Sequence, residues 1–321
     1  MVNKAPFSFI LIIGLMLFAL FFGAGNLIFP PMLGQSAGTN LLWANIGFLV
    51  TGVGLPLMTV LAFGFSGKND LLELASRVHP LFGIIFATTL YLTLGPLFVL
   101  PRSGSVSFEI GVTPFLSASS NSVPLIIFTI LFFGVTCLLA INPQKIVDIV
   151  GKFLTPIKLI FIGILVLVAF IKPIGTFQSP TEEYQSHVFF TGFQNGYLTM
   201  DTLAAFVFAI IIINAIKSRG IMEKKQIMLT CLKATVIAGI ILVAMYTSLA
   251  FMGASSVKKL GYLDNGGQIL AQVSAYYFGS YGEIILGLMI TIACLTTSVG
   301  LMTACASFFH RLFPTLSYKT I

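Results

Sequence analysis

The sequence predicts an all-α polytopic membrane protein, on three observations. Of 321 residues, 57% are hydrophobic and 8% charged, with a mean hydropathy of +1.02, which is more apolar surface than a soluble core of this size can bury. Apolar runs of about 20 residues recur along the whole chain, the length that about 30 Å of hydrocarbon demands of a helix. Ten-residue segments of alternating polarity are absent, which favours a helical bundle over a barrel.

Gly, Pro and charge punctuate the apolar runs into about eight spans. They are Phe7–Leu33, Leu41–Phe65, Leu81–Leu100 with an extension to Ile110, Val123–Ile141, Phe153–Ile171, Gly192–Ile216, Ile227–Met252 and Gly282–Phe309. The first begins like a secretory signal, with Lys4 ahead of an apolar run, but continues to Phe29 without a small-residue cleavage site and reads as a retained helix. The loop from Gly67 to Pro80 mixes Lys68, Asp70, Glu73 and Arg77, and that from Lys172 to Thr191 carries Glu182, Glu183 and His187. Between Gly253 and Tyr281 the stretch Gln268–Phe278 suits a surface helix or a plain connector. Every loop is too short to hold a soluble domain.

Basic residues set the orientation. With the N-terminus in the cytoplasm, the inner segments collect Lys4, Lys68, Arg77, Lys145, Lys152, Lys217, Arg219, Lys224, Lys225, Arg311 and Lys319. The outer ones collect Arg102, Lys172, Lys258 and Lys259, while Lys158 and Lys233 sit where their stems can snorkel inward. The bias predicts both termini in the cytoplasm. Because the net charge of +7 is spread over short loops, it reports topology and no nucleic-acid surface. Cys137, Cys231, Cys294 and Cys305 lack C-x-x-C spacing and read as small packing residues. His79, His187 and His310 lie outside the span cores and H-E-x-x-H does not occur, so neither an intramembrane enzyme nor a cofactor is expected.

The chemistry is expected where apolar spans are interrupted. Gly23, Gly25 and Asn26 fall near the midplane of the first span, where unwound backbone is tolerated only if it lines a cavity or holds a ligand. The alternative is that the glycines permit close helix packing and Asn26 bonds across an interface. The sixth span has its own interruption at Gly196–Thr202, with Asp201 about ten residues in, and the eighth carries a hydroxyl cluster at Thr296, Thr297 and Ser298. Arg102 and Glu109 share a face if the third helix continues, or both sit at the outer interface. Spans one and six are the corresponding positions of a five-helix inverted repeat. Broken helices there would offer half-helix N-termini to a carboxylate, and unwound carbonyls and hydroxyls to a hard cation.

Four stretches carry a resemblance: Phe22–Pro31; Leu94-Gly95-Pro96-Leu97-Phe98 with Pro101-Arg102 and Val106–Gly111; Gly196–Ala205; and Phe309–Pro314. Together they resemble the bacterial branched-chain amino acid:cation symporter family, the BrnQ-type carriers. The resemblance implies uptake of leucine, isoleucine and valine across the bacterial cytoplasmic membrane, with Na+ (or H+) as the coupling ion. It also implies a LeuT-like 5+5 inverted-repeat fold of about twelve helices. Residues 7–171 would form the first repeat and 192–309 the first three helices of the second, the remainder missing; a truncated, non-transporting remnant or scaffold is the alternative. Carried over residue by residue, Gly23, Gly25 and Asn26 resemble the unwound part of helix one that meets substrate. Leu198, Thr199, Asp201 and Thr202 resemble that of helix six. Tyr91, Leu94, Phe98 and Phe206 are candidates for the apolar side-chain pocket. Thr297 and Ser298, with carbonyls near Ala19, Phe22 and Cys294, resemble a sodium site between helices one and eight, by fold analogy.

Overall fold

Apolar segments that must satisfy their own backbone in hydrocarbon have one local solution, the helix. The computed structural model describes residues 5–67, 71–116, 122–141 and 155–318. Lys4, Lys68, Asp70, Lys145, Lys152, Phe153 and Lys319 lie outside the described residues, as does the side chain of Lys158. In chain order the helices are α1 (Phe7–Phe21), α2 (Ala24–Ala37), α3 (Leu41–Leu49), α4 (Leu55–Ser66), the short α5 (Leu71–Ala75), α6 (Pro80–Leu92) and α7 (Val99–Gly111). They continue with α8 (Val123–Ala140), α9 (Thr155–Ile171), α10 (Val188–Tyr197), α11 (Asp201–Lys217), α12 (Lys224–Leu260), α13 (Gly266–Phe278) and α14 (Ser280–Leu312).

The apolar passes follow the order expected from the sequence. Among the described residues five helical runs are long and apolar enough to cross a membrane, and a sixth is the pair α10–α11, bent by 44°. One of the five, Ala24–Ser66, turns at Gly38, whose φ of +49° suits glycine, and α1 completes its first part. The stretch Gln268–Phe278 lies in a helix, α13, whose first turn is capped where Asn265 Oδ1 accepts from the Gln268 N–H at 2.9 Å. It packs on α14 and α2, so it is an element and no mere connector.

Two breaks sit inside spans that read as continuous. A π-turn at Val50–Gly54 joins α3 to α4. Another at Thr93–Leu97 joins α6 to α7, with Gly95 out of helical geometry (φ −85°, ψ −116°) beside Pro96, which has no N–H to continue the ladder.

Relative directions are fixed by close approaches. The 37-residue α12 runs parallel to α1 and α2, with Gly14 against Ala234 and Ile237 and Gly34 against Ala250. α14 runs antiparallel to α7, Gly111 meeting Gly287 while Gly95 meets Cys305. The α2–α12 contact is backbone on backbone. A Cβ at Gly253 would fall 2.8 Å from the Pro31 carbonyl carbon, so Gly253→Val is expected to destabilise the fold by about 1–3 kcal/mol or more, read as a lower melting temperature in detergent.

Where α1, α11, α12 and α14 meet, Phe18, Phe21, Phe22, Phe208 and Tyr246 are fully or almost fully buried. Phe22 stacks on Phe18 at 5.0 Å and on Tyr246 at 6.1 Å between ring centroids. By contrast Ile130, Leu131, Leu138, Ile160 and Leu167 on α8 and α9 are exposed, an apolar face suited to lipid. Cys231, Cys294 and Cys305 are buried as packing residues would be, whereas Cys137 is on the exposed face of α8.

Candidate functional site

The break in the first span is narrow. After Phe22 (φ −74°, ψ 77°) and Gly23 (φ −116°, ψ −152°) the chain resumes as α2 at Ala24. Gly23 is required by its neighbour, since a Cβ there would lie 2.5 Å from Thr297 Oγ1. Pro30 and Pro31 lie inside α2, so the carbonyls of Asn26 and Leu27 lose their i+4 donors within the turns that follow the break.

The break in the sixth span has a local cause as well. Thr199 Oγ donates to the Gly196 carbonyl at 2.8 Å and accepts from the Asp201 N–H at 3.4 Å, a side-chain turn that competes with the helix. Met200 takes φ +65°, and α11 restarts at Asp201. The unwound part is therefore Leu198–Met200, shorter than the stretch to Thr202 that the sequence suggests, and Asp201 and Thr202 open the next helix.

Both breaks face one small cavity, partly open to solvent. The end of α1 (Leu20, Phe21), Gly23, the first turn of α2 (Ala24, Gly25, Asn26), the unwound Thr199 and Met200, and the start of α11 (Asp201, Ala204) line it, with Leu94, Val99, Arg102, Ser103, Phe208, Thr297 and Leu301. The breaks touch: a Cβ on Gly25 would sit 3.3 Å from the Thr199 carbonyl oxygen.

Asn26 ties them together. Its Nδ2 donates to Asp201 Oδ2 and to the Tyr246 hydroxyl, and that hydroxyl donates to Asp201 Oδ2 at 3.1 Å. On its other side Asn26 Oδ1 accepts from the Gly23 N–H at 3.2 Å. The ring closes with every proton used: an amide has two N–H donors, a phenol one, and an ionised carboxylate only accepts. All three side chains are buried.

Of the residues expected to contact substrate, Gly23, Gly25, Asn26, Leu94, Thr199 and Asp201 line this cavity. The others do not. Tyr91 is buried against Phe308, ring centroids 4.2 Å apart, and its carbonyl accepts from Cys305 Sγ. Phe98 and Leu198 are about half exposed. Thr202 donates to the Thr51 carbonyl at 3.4 Å, and Phe206 packs edge-on against Phe63 and Phe86.

Next to the cavity, α14 lies along α1. Thr296 Oγ donates to the Ala19 carbonyl at 3.2 Å and Thr297 Oγ to the Leu20 carbonyl at 2.9 Å. Ser298 Oγ is fully buried and has no hydrogen-bond partner among the described residues. Cys294 and Phe22 are also buried, Phe22 against Phe18 and Tyr246, and the Phe22 N–H donates to the Phe18 carbonyl at 2.8 Å. Sequence reasoning missed Tyr246 and left Arg102 either on one face with Glu109 or at the outer interface. The available signal for Tyr246 was a lone phenol in the middle of an apolar span, which must find a partner when buried.

The fold and site define a class: a multi-pass helical membrane protein in which two broken spans bound a common cavity. A crystal structure of MhsT in complex with L-phenylalanine matches 95% of this chain and 75% of its own length, with a TM-score of 0.55 at 18% identity, which shows the LeuT-like fold. Residues 8–321 match the family described as branched-chain amino acid transport protein. The branched-chain amino acid permease BrnQ of Bacillus subtilis is 67% identical over 100% of this chain and 73% of its own length. BraB of the same organism is 51% identical over 100% and 72%, and BrnQ of Escherichia coli is 43% identical over 97% and 70%. The chain belongs to the branched-chain amino acid transport protein family.

Proposed function

We propose that the chain imports leucine, isoleucine and valine across the bacterial cytoplasmic membrane by symport with Na+, its N-terminus in the cytoplasm. The observation that carries this reading is the meeting of the α1/α2 and α10/α11 breaks at one cavity, joined through Asn26, Asp201 and Tyr246. Half-helix N-termini at Ala24 and Asp201 favour the carboxylate of an amino acid. Leu94, Val99, Phe208 and Leu301 offer apolar contacts to a branched side chain. The buried Ser298 hydroxyl, without a partner among the described residues and next to Thr297, supports a neutral-oxygen site for the coupling ion.

In this mechanism residues 7–171 form one five-helix repeat and 192–309 open an inverted second. Cation binding beside Ser298 holds α1 against α14, and amino-acid binding at the two breaks then permits closure. A second reading, H+ as the coupling ion, is favoured by one observation, the buried carboxylate of Asp201 at the cavity wall. Uptake of radiolabelled leucine into proteoliposomes tests both. An inward Na+ gradient is expected to drive accumulation that unlabelled isoleucine and valine compete away and lysine does not. Accumulation driven only by a pH gradient would move the coupling to H+, and absence of uptake under either gradient would overturn the transport reading.

A further inference from the structure

Among the residues lining the cavity, Arg102 is the one basic side chain and Asp201 the one acidic side chain. Arg102 does not pair with Glu109, which instead accepts from Asn265 Nδ2 at 2.8 Å. The break at Gly95 explains its direction. α7 restarts at Val99, and Val99, Arg102 and Ser103, at helical spacing i, i+3, i+4, share the face turned to the cavity. There the guanidinium lies over the Phe29 ring at 5.0 Å, and Nη2 comes within 3.4 Å of the point a Cβ on Gly25 would occupy.

The guanidinium has no hydrogen-bond acceptor among the described residues, although it carries five N–H donors in a planar fork. Asp201, the acidic residue of the lining, directs Oδ2 to Asn26 and Tyr246. Beside the fork is the first turn of α2, whose N–H groups have no intrahelical acceptor. A planar anion placed between them would receive two parallel N–H bonds from the arginine and the backbone amides from the other side, as bidentate carboxylate recognition requires.

We propose that Arg102 selects for the free carboxylate of the transported amino acid, with the first-turn amides of α2 as its partners. The inference rests on the transport reading above and adds to it the group that distinguishes an amino acid from its amide or ester. The competing role is a fixed counter-charge for Asp201, which would support the fold without reading the ligand.

Calorimetric binding isotherms of leucine and of leucinamide to the purified full chain, at a pH where both amines are protonated, separate these roles. Wild type is expected to prefer leucine by about 10- to 100-fold, the size of a charge-assisted pair. Arg102→Gln is expected to lose most of that preference, weakening leucine while leaving leucinamide within about threefold, and Arg102→Lys, which keeps charge without the fork, is expected to fall between. Should the Gln variant not yield monodisperse protein, the Lys variant decides on the same ratio. An unchanged leucine affinity, or equal losses for both ligands, would overturn the role of Arg102 alone. A wild-type chain that binds neither leucine nor valine would overturn the transport reading, and this inference with it.

Discussion

Asp201→Ala is expected to abolish leucine uptake and to lower the melting temperature, because it opens the hydrogen-bonded ring at the cavity wall. Removing the carboxylate strands one Asn26 amide proton and the Tyr246 hydroxyl proton in a buried site. Each orphaned group costs about 1–3 kcal/mol. It also frees the connection between the two broken spans, since Asn26 alone links Gly23 to Asp201. Asp201→Asn separates structure from function. An amide oxygen has two lone pairs and can still accept from Asn26 and Tyr246, so this variant is expected to melt near wild type. Its uptake is expected to fall at least about tenfold, charge-assisted hydrogen bonds being roughly twice as strong as neutral ones. Uptake at wild-type level in Asp201→Asn would show that the charge takes no part in the transport cycle.

The second large effect is expected at the seam between α1 and α14. Ser298→Ala removes a buried hydroxyl that has no partner among the described residues, so in sodium-free buffer the change is expected to be neutral or stabilising. If that oxygen completes a cation site, the sodium-dependent rise in melting temperature that linkage demands of the wild type should vanish in the variant. Sodium stimulation of uptake should fall at least about tenfold with it, the size of one bond to a charged group. Thr297→Ala is a harsher change, because it also removes the 2.9 Å bond to the Leu20 carbonyl. A Ser298→Ala chain that keeps the full sodium response would remove Ser298 from the ion site.

The order of apolar passes and the breaks in spans one and six were legible in the sequence because hydrocarbon makes both conspicuous. Twenty apolar residues and a midplane Gly-Ala-Gly-Asn each have few physical explanations. Partners across the bundle were not legible. Tyr246 is the lone phenol of its apolar helix, which says that it needs a partner but not which, and only packing brings it to Asn26, 220 positions earlier. Arg102 could not be assigned one place because the span containing Gly95-Pro96 reads as a continuous helix. Once the helix bends there, the residues after it face a different side. The same bend accounts for Phe98, which a straight helix would have aligned with Leu94 and Tyr91 and which is instead half exposed. Local turn chemistry set the boundary at Asp201: the Thr199 hydroxyl, with its bond to Gly196, closes the unwound stretch before Thr202.

The Asn26–Asp201–Tyr246 ring also dictates an order of events during synthesis. Its first member leaves the ribosome 175 residues before the second and 220 before the third. At about 5–20 residues per second that separation is roughly ten to forty-five seconds. Until residue 201 is made the first span has neither Asp201 nor Tyr246, and of these bonds only the local one from the Gly23 N–H to Asn26 Oδ1 can form. The break between α1 and α2 is therefore completed last, although the residues that form it are among the first to be made.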